Sequence, residues 1–147
     1  MLYLHSLLRW AIVLAGIWAV LRALKGVSGK TPFTGADNKA GLFFMIFFDL
    51  QFLVGLILFF TSPLVKSGLA DMGAAMKNTP LRFFIVEHET MALIAFALVH
   101  IGKSKVKKAA TDAQKHKLAL IFYGIALILV LALVPWPFRE ALGRGWF

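Results

Sequence analysis

Crossing a hydrocarbon core roughly 30 Å thick takes about 20 predominantly apolar residues in a helix, within a working range of about 17–25. This sequence contains four runs of that kind, at about residues 2–24, 41–61, 81–101 and 118–134. Four such runs joined by short connections constrain the chain to an all-α integral membrane fold. The economical arrangement is one up-down four-helix bundle with no second domain. Of the 147 residues, 60% are hydrophobic, well above the roughly 45–50% of soluble domains. The first run lacks a basic leader, carries Arg9 within it and is interrupted by Arg22, so it is expected to be a mature helix rather than a cleaved signal.

The formal charge of +9 belongs to the connections rather than to a nucleic-acid face. Lys103, Lys105, Lys107, Lys108, Lys115 and Lys117 crowd the third connection against Asp112 alone, and Arg22, Lys25, Lys30 and Lys39 surround the first against Asp37. The second connection has Lys66 and Lys77 against Asp71, and the tail Arg139 and Arg144 against Glu140. Positive charge near span ends marks the cytoplasmic side, so both termini and the second connection are expected outside. Boundary residues fit these spans: Thr79-Pro80 reads as N-cap and first helical residue, and Thr111 to Gln114 as a capping box. Pro63, Pro135 and Pro137 read as stops, Trp136 as an interfacial anchor, and residues 68–75 as a short surface helix.

Ionisable side chains within a span cost about 2.5–3.5 kcal/mol each at a helix centre even on the lower scales, and normally face the bundle interior. Here they are Arg9, Asp49, Glu87, His88 and Glu89, with Gln51 beside them. In the expected topology His5 and His88 share the outer half of the membrane, while His100 and His116 share the inner surface. Imidazoles from facing helices at one depth are what axial ligation of haem b requires. His5 and His88 are therefore candidate iron ligands, and His100 and His116 a candidate second haem or quinone site. His88 and His100 are ~18 Å apart along a helix and ~120° apart around it, so each level would need its own partner. With no cysteine in the chain, a covalently attached haem, an Fe–S cluster and disulfides are excluded.

Small residues follow His5 along one face at Gly16, Ala19 and Ala23, and follow His88 at Ala92 and Ala95. They leave room for a flat macrocycle or, equally, for close helix packing. Arg9 lies one turn beyond His5, where it could meet a propionate or Glu87, or snorkel outward. Glu87 and Glu89 flank His88 as candidate orienting partners. Gln51 and Gly55 permit close approach of a ligand or helix. Asp49 has four readings: a protonated hydrogen-bonding residue, a partner for Arg9, part of a proton path to a quinone, or a cation site. The bland reading of His116, between Lys115 and Lys117, is a solvated basic segment. Ala92 breaks a zincin motif after His88-Glu89, and no phosphate loop or nucleophile elbow is present.

The stretches His5-Ser-Leu-Leu-Arg9-Trp10, Asp49-Leu-Gln51-Phe-Leu-Val-Gly55-Leu, Leu81-Arg-Phe-Phe-Ile-Val-Glu87-His88, Ile101-Gly-Lys-Ser-Lys-Val-Lys-Lys108, Lys115-His116-Lys and Phe122-Tyr-Gly124 resemble small bacterial four-helix membrane proteins catalogued as cytochrome b-like. The resemblance covers nearly the whole chain. It implies noncovalent haem b and electron transfer in the bacterial inner membrane, with a quinone or a redox protein as partner, alone, as a homo-oligomer or within a larger complex. Members often carry a histidine where this chain has Asp49. The alternative is a cofactor-free accessory subunit, or a small transporter using Asp49, Glu87 and Arg9.

Overall fold

The computed structural model describes all of residues 1–147, and its regular structure is all helix, with no strands. Its elements are α1 (Leu2–Gly29), α2 (Gly35–Thr61), α3 (Pro63–Ala70), α4 (Met72–Lys77), α5 (Thr79–Arg82), a π-helical turn (Phe83–Glu87), α6 (His88–Lys108), α7 (Asp112–Leu133) and a 3₁₀ turn (Glu140–Leu142). α5, the π turn and α6 form one continuous rod. With α1, α2 and α7 it makes four helices long and apolar enough to cross a membrane. This is a multi-pass membrane protein, and its outward surface carries residues such as Leu14, Leu53 and Ile128 that are more than half exposed. The helices outrun their apolar runs, because a backbone that satisfies its own hydrogen bonds need not stop where lipid does.

α1 packs against α2 and α7, and α6 packs against α7 and, more loosely, α2. Neighbours run antiparallel. Arg22 of α1 bonds Asp37 at the start of α2 at 2.7 Å, while His5 at the other end of α1 abuts Gly55 near the end of α2. The small residues of α1 set this closeness. Ile12, Ala15, Gly16, Ala19, Ala23 and Gly26 are all buried, and a Cβ on Gly16 would lie 2.9 Å from both Phe44 and Leu127. That face is filled by packing, so Gly16, expected to border a cofactor, instead lets α2 and α7 approach.

Local chemistry explains most boundaries. Asp37 accepts from the Thr34 backbone N–H at 2.8 Å and so opens α2, and Thr111 accepts from Gln114 to open α7. Pro63 closes α2, with the preceding Ser62 in extended backbone, and at the same time starts α3, where its missing N–H costs nothing in a first turn. The expected N-cap at Thr79 moves to Asn78, whose side chain accepts from the Leu81 N–H. The expected surface helix at 68–75 becomes two short helices, broken at Asp71, whose carboxylate caps α4.

His116 occupies none of the inner-surface site proposed for it. It is 1% exposed, with Nε2 donating to the Thr31 carbonyl at 3.1 Å and its ring against Phe33. A Cβ on Gly26 would collide with that ring. Gly26→Ala should therefore lower stability by about 1–3 kcal/mol, the usual cost of overpacking. Gly124→Ala, with open space around the site, should leave stability unchanged or raise it by up to about 1 kcal/mol by helix propensity. Denaturant titration of the two variants in detergent checks the contrast.

Candidate functional site

A cavity of about 500 Å³ opens at the His5 end of the molecule, between α1, α2 and α6. That is within the range of ligand sites, roughly 300–1,000 Å³. α3 begins over it, and the chain after α7 folds back so that Arg144, Gly145 and Phe147 border it. Its polar side chains include His5, Ser6 and Arg9 from α1, Gln51 and Thr61 from α2, His88 and Glu89 from α6, and Arg144 from the tail.

His5 and His88 face each other across this space with ring centroids 6.2 Å apart and planes inclined by 54°. His88 Nδ1 lies 3.0 Å from the Leu133 carbonyl, so that nitrogen carries the proton and Nε2 is the bare one. This is the usual way a backbone carbonyl orients a ligating imidazole. His5 Nδ1 is buried without a partner. Gly55 makes room for the His5 ring, since a Cβ there would stand 3.3 Å from Cε1.

The π turn just before His88 aligns the residues around it. His88 N–H bonds the Phe83 carbonyl five residues back. In an α-helix, side chains five apart diverge by about 140°; here they come together. Phe83 packs on His88 with centroids 5.7 Å apart, and Arg82 pairs with Glu87 at 2.7 Å. Glu87 is thereby engaged on its own helix and meets neither Arg9 nor His88. Single-turn π segments occur often at functional sites, and no apolar periodicity announced this one.

Arg9 is buried. Its Nη2 donates to the Trp146 carbonyl, and the guanidinium lies over the Trp10 ring. Trp10 stacks on Trp146 with centroids 6.2 Å apart and meets Trp136 edge-on at 5.8 Å. Arg144 sits over Phe84. The tail is thus clamped across the cavity by aromatic residues from both chain ends and by the bond between Arg9 and Trp146, 137 positions apart. Gln51 Oε1 is buried without a partner in the same wall, and Glu89 borders the space.

His100 and His116, expected at one site, lie in separate surroundings. His100 Nδ1 donates to the Phe96 carbonyl at 2.9 Å, and its Nε2 lies 3.0 Å from Asp49 Oδ1. Asp49 thus meets His100 rather than Arg9. Nowhere do three or more histidine or carboxylate side chains converge as they would around a bare metal ion.

Comparison with models of known protein families, with curated proteins and with solved structures finds no match to this chain. The aromatic clamp makes a direct prediction. Each aromatic pair is worth about 0.5–1.5 kcal/mol beyond area burial, and Trp10→Ala removes two. Amide exchange at Arg139, Leu142 and Gly143, the hydrogen-bonded amides of the tail, should then accelerate by about fivefold or more, with α7 unchanged, as hydrogen-exchange mass spectrometry would record.

Proposed function

We propose that this protein is a membrane electron carrier that holds haem b between His5 and His88 inside an up-down four-helix bundle. The observation that supports it most is the 6.2 Å between the two imidazole centroids, on separate helices, at the edge of an apolar-walled cavity. Two imidazoles this close, carried on separate helices, would be able to hold one metal between them. The donor set agrees. Two nitrogens alone leave a metal short of ligands, so the fitting partner is one that brings its own equatorial ring. The resemblance to cytochrome b-like membrane proteins supports the same choice.

When bound, haem supplies a reversible one-electron iron couple. This chain's residues then have defined tasks. His5 and His88 would hold the haem iron, with the Leu133 carbonyl keeping His88 in the tautomer that leaves Nε2 free. Arg9 and Arg144 place positive charge at the mouth, suited to carboxylate groups of a ligand. Gln51 offers an unfilled acceptor, Gly55 keeps the backbone of α2 clear of the ring of His5, and Glu89 adds a carboxyl to the wall. The clamped tail limits water. Lysines cluster at the opposite end, so by the positive-inside rule the haem would lie near the outer face with both termini outside, and the resemblance to bacterial proteins implies the cytoplasmic membrane. Electrons would pass to or from a quinone or a protein partner, with the carrier working as a homo-oligomer or as a subunit of a larger complex. A transporter built on Asp49, Glu87 and Arg9 draws less support, because these pair respectively with His100, Arg82 and the Trp146 carbonyl.

Protein purified from cells with ample haem should show one haem per chain and sharp visible bands on dithionite reduction. His88→Ala should abolish them, and His5→Ala should leave at most a five-coordinate, high-spin species. A colourless, folded wild-type protein overturns the proposal. Gly55→Leu, which fills the space beside His5 without touching a ligand, should cut haem content at least about fivefold, the effect of roughly 1 kcal/mol of overpacking. Pyridine haemochrome assay gives the count.

A further inference from the structure

We propose that the lysine-rich end of the bundle binds the phosphate headgroup of an acidic phospholipid in a cleft between the end of α1 and the start of α7. The cleft has a volume of about 480 Å³, at the opposite end of the bundle from the histidine cavity. Lys30 and Thr31 border it from the first connection, and Asp112 and Lys117 from α7. Lysines near span ends fix which side of the membrane a connection takes, and that rule accounts for their number. It does not account for two of them, far apart in the chain, lining one concavity. No lysine in the molecule is ion-paired; the pairs are Arg22–Asp37, Arg82–Glu87 and Asp49–His100. Lys103 is held by Asn38 and Lys115 lies over the Phe33 ring, whereas Lys30 and Lys117 have no such partner. The wall they stand on is fixed. Lys30 has φ 50° and ψ 40°, the left-handed region that glycine or asparagine usually fills at a helix end, so a cation stands where another residue would suit the backbone better. Beside it the Thr31 N–H bonds the Gly26 carbonyl at 3.3 Å, and the Thr31 carbonyl accepts from buried His116 at 3.1 Å.

Position selects the ligand. Val27 lines the cleft and is 41% exposed, and one turn farther into the spans Leu24 and Ile121 are 49% and 43% exposed. A bound molecule therefore meets cations on the solvent side and bare aliphatic surface on the membrane side. A soluble anion satisfies only the first, and an uncharged lipid only the second. A zwitterionic headgroup sets its own ammonium against Lys30 and Lys117, while a headgroup of net negative charge does not. Asp112 is the one acid at the rim, and it stands in the first turn of α7, where the helix dipole favours it. A phosphate held by both lysines joins the first connection to α7, beside the contact in which His116 packs on Gly26.

The test uses full-length, haem-free protein in a neutral detergent, with dioctanoyl phosphatidylglycerol as probe and dioctanoyl phosphatidylcholine as its zwitterionic counterpart. Native mass spectrometry should show one phosphatidylglycerol per chain, held at least about tenfold more tightly than phosphatidylcholine. Lys30→Gly and Lys117→Gln should each weaken it about fivefold, the effect of one lysine on an acidic headgroup. Lys39→Gln, at the same end but outside the cleft, should change it by less than about twofold. Glycine takes the backbone conformation of Lys30 freely, so the first variant removes the cation without endangering the fold. A phosphatidylglycerol with a photoreactive acyl chain should label the wild type around Leu24 and Ile121. Absence of saturable binding, equal affinity for the two lipids, equal losses in all three variants, equally tight competition by inorganic phosphate, or labelling confined elsewhere overturns it.

Discussion

Hydrocarbon cannot hydrogen-bond, and every part of this molecule answers to that fact. Each backbone amide in a span must find its carbonyl within the same helix, which leaves the side chains alone to join one helix to another. Lipid tails are as apolar as leucine, so burying leucine gains little; close contact and the few polar groups carry the association. The narrow α1 face of Gly16, Ala19, Ala23 and Gly26 therefore matters more than its hydrophobicity. It admits Phe44, Leu127 and the ring of His116, and so brings α2 and α7 against α1.

The same solvent makes each polar side chain informative. Arg22 and Asp37 join the first connection, Lys103 reaches the Asn38 side chain at 2.5 Å, and Arg82 and Glu87 close on each other across a π turn. These groups are matched within the protein. The exceptions are six buried polar atoms without a hydrogen-bond partner, on His5, Arg9, Trp10, Asp49, Gln51 and His116. Three of these residues, His5, Arg9 and Gln51, border the cavity. Buried polar atoms are nearly always satisfied in folded proteins, so unfilled capacity around one cavity is where a ligand belongs. The haem proposal draws on that cavity.

Several features were readable before any coordinates. Run length gave four spans, and the small-residue stripe of α1 was read equally as a macrocycle face or a packing face, of which the structure shows packing. The pairing of His5 with His88 followed from assigning each to the same end of an antiparallel set. His100 and His116 were paired by the same reasoning, and the structure separates them. Depth is a one-dimensional property that counting residues supplies, whereas azimuth depends on how each helix is rotated about its axis. The steric fit of Gly26 against His116 sets that rotation, and so does the extra residue of the π turn. The protein contact of Arg9 was not legible for a related reason: its acceptor, the Trp146 carbonyl, belongs to a tail with no periodic signal.

What the sequence determined by itself was the solvent and the length scale: a chain 60% hydrophobic, in runs sized to a bilayer, with its lysines beside particular spans. These are local sums, independent of which helix meets which. Only the tertiary structure decided the partners: His5 opposite His88, Asp49 beside His100, Arg9 under the tail. Each pairing depends on contacts between residues far apart in the chain, made at distances of a few ångströms. A helix turned by one residue, as the π turn turns α6, carries a side chain about 100° around the axis and gives it a different neighbour.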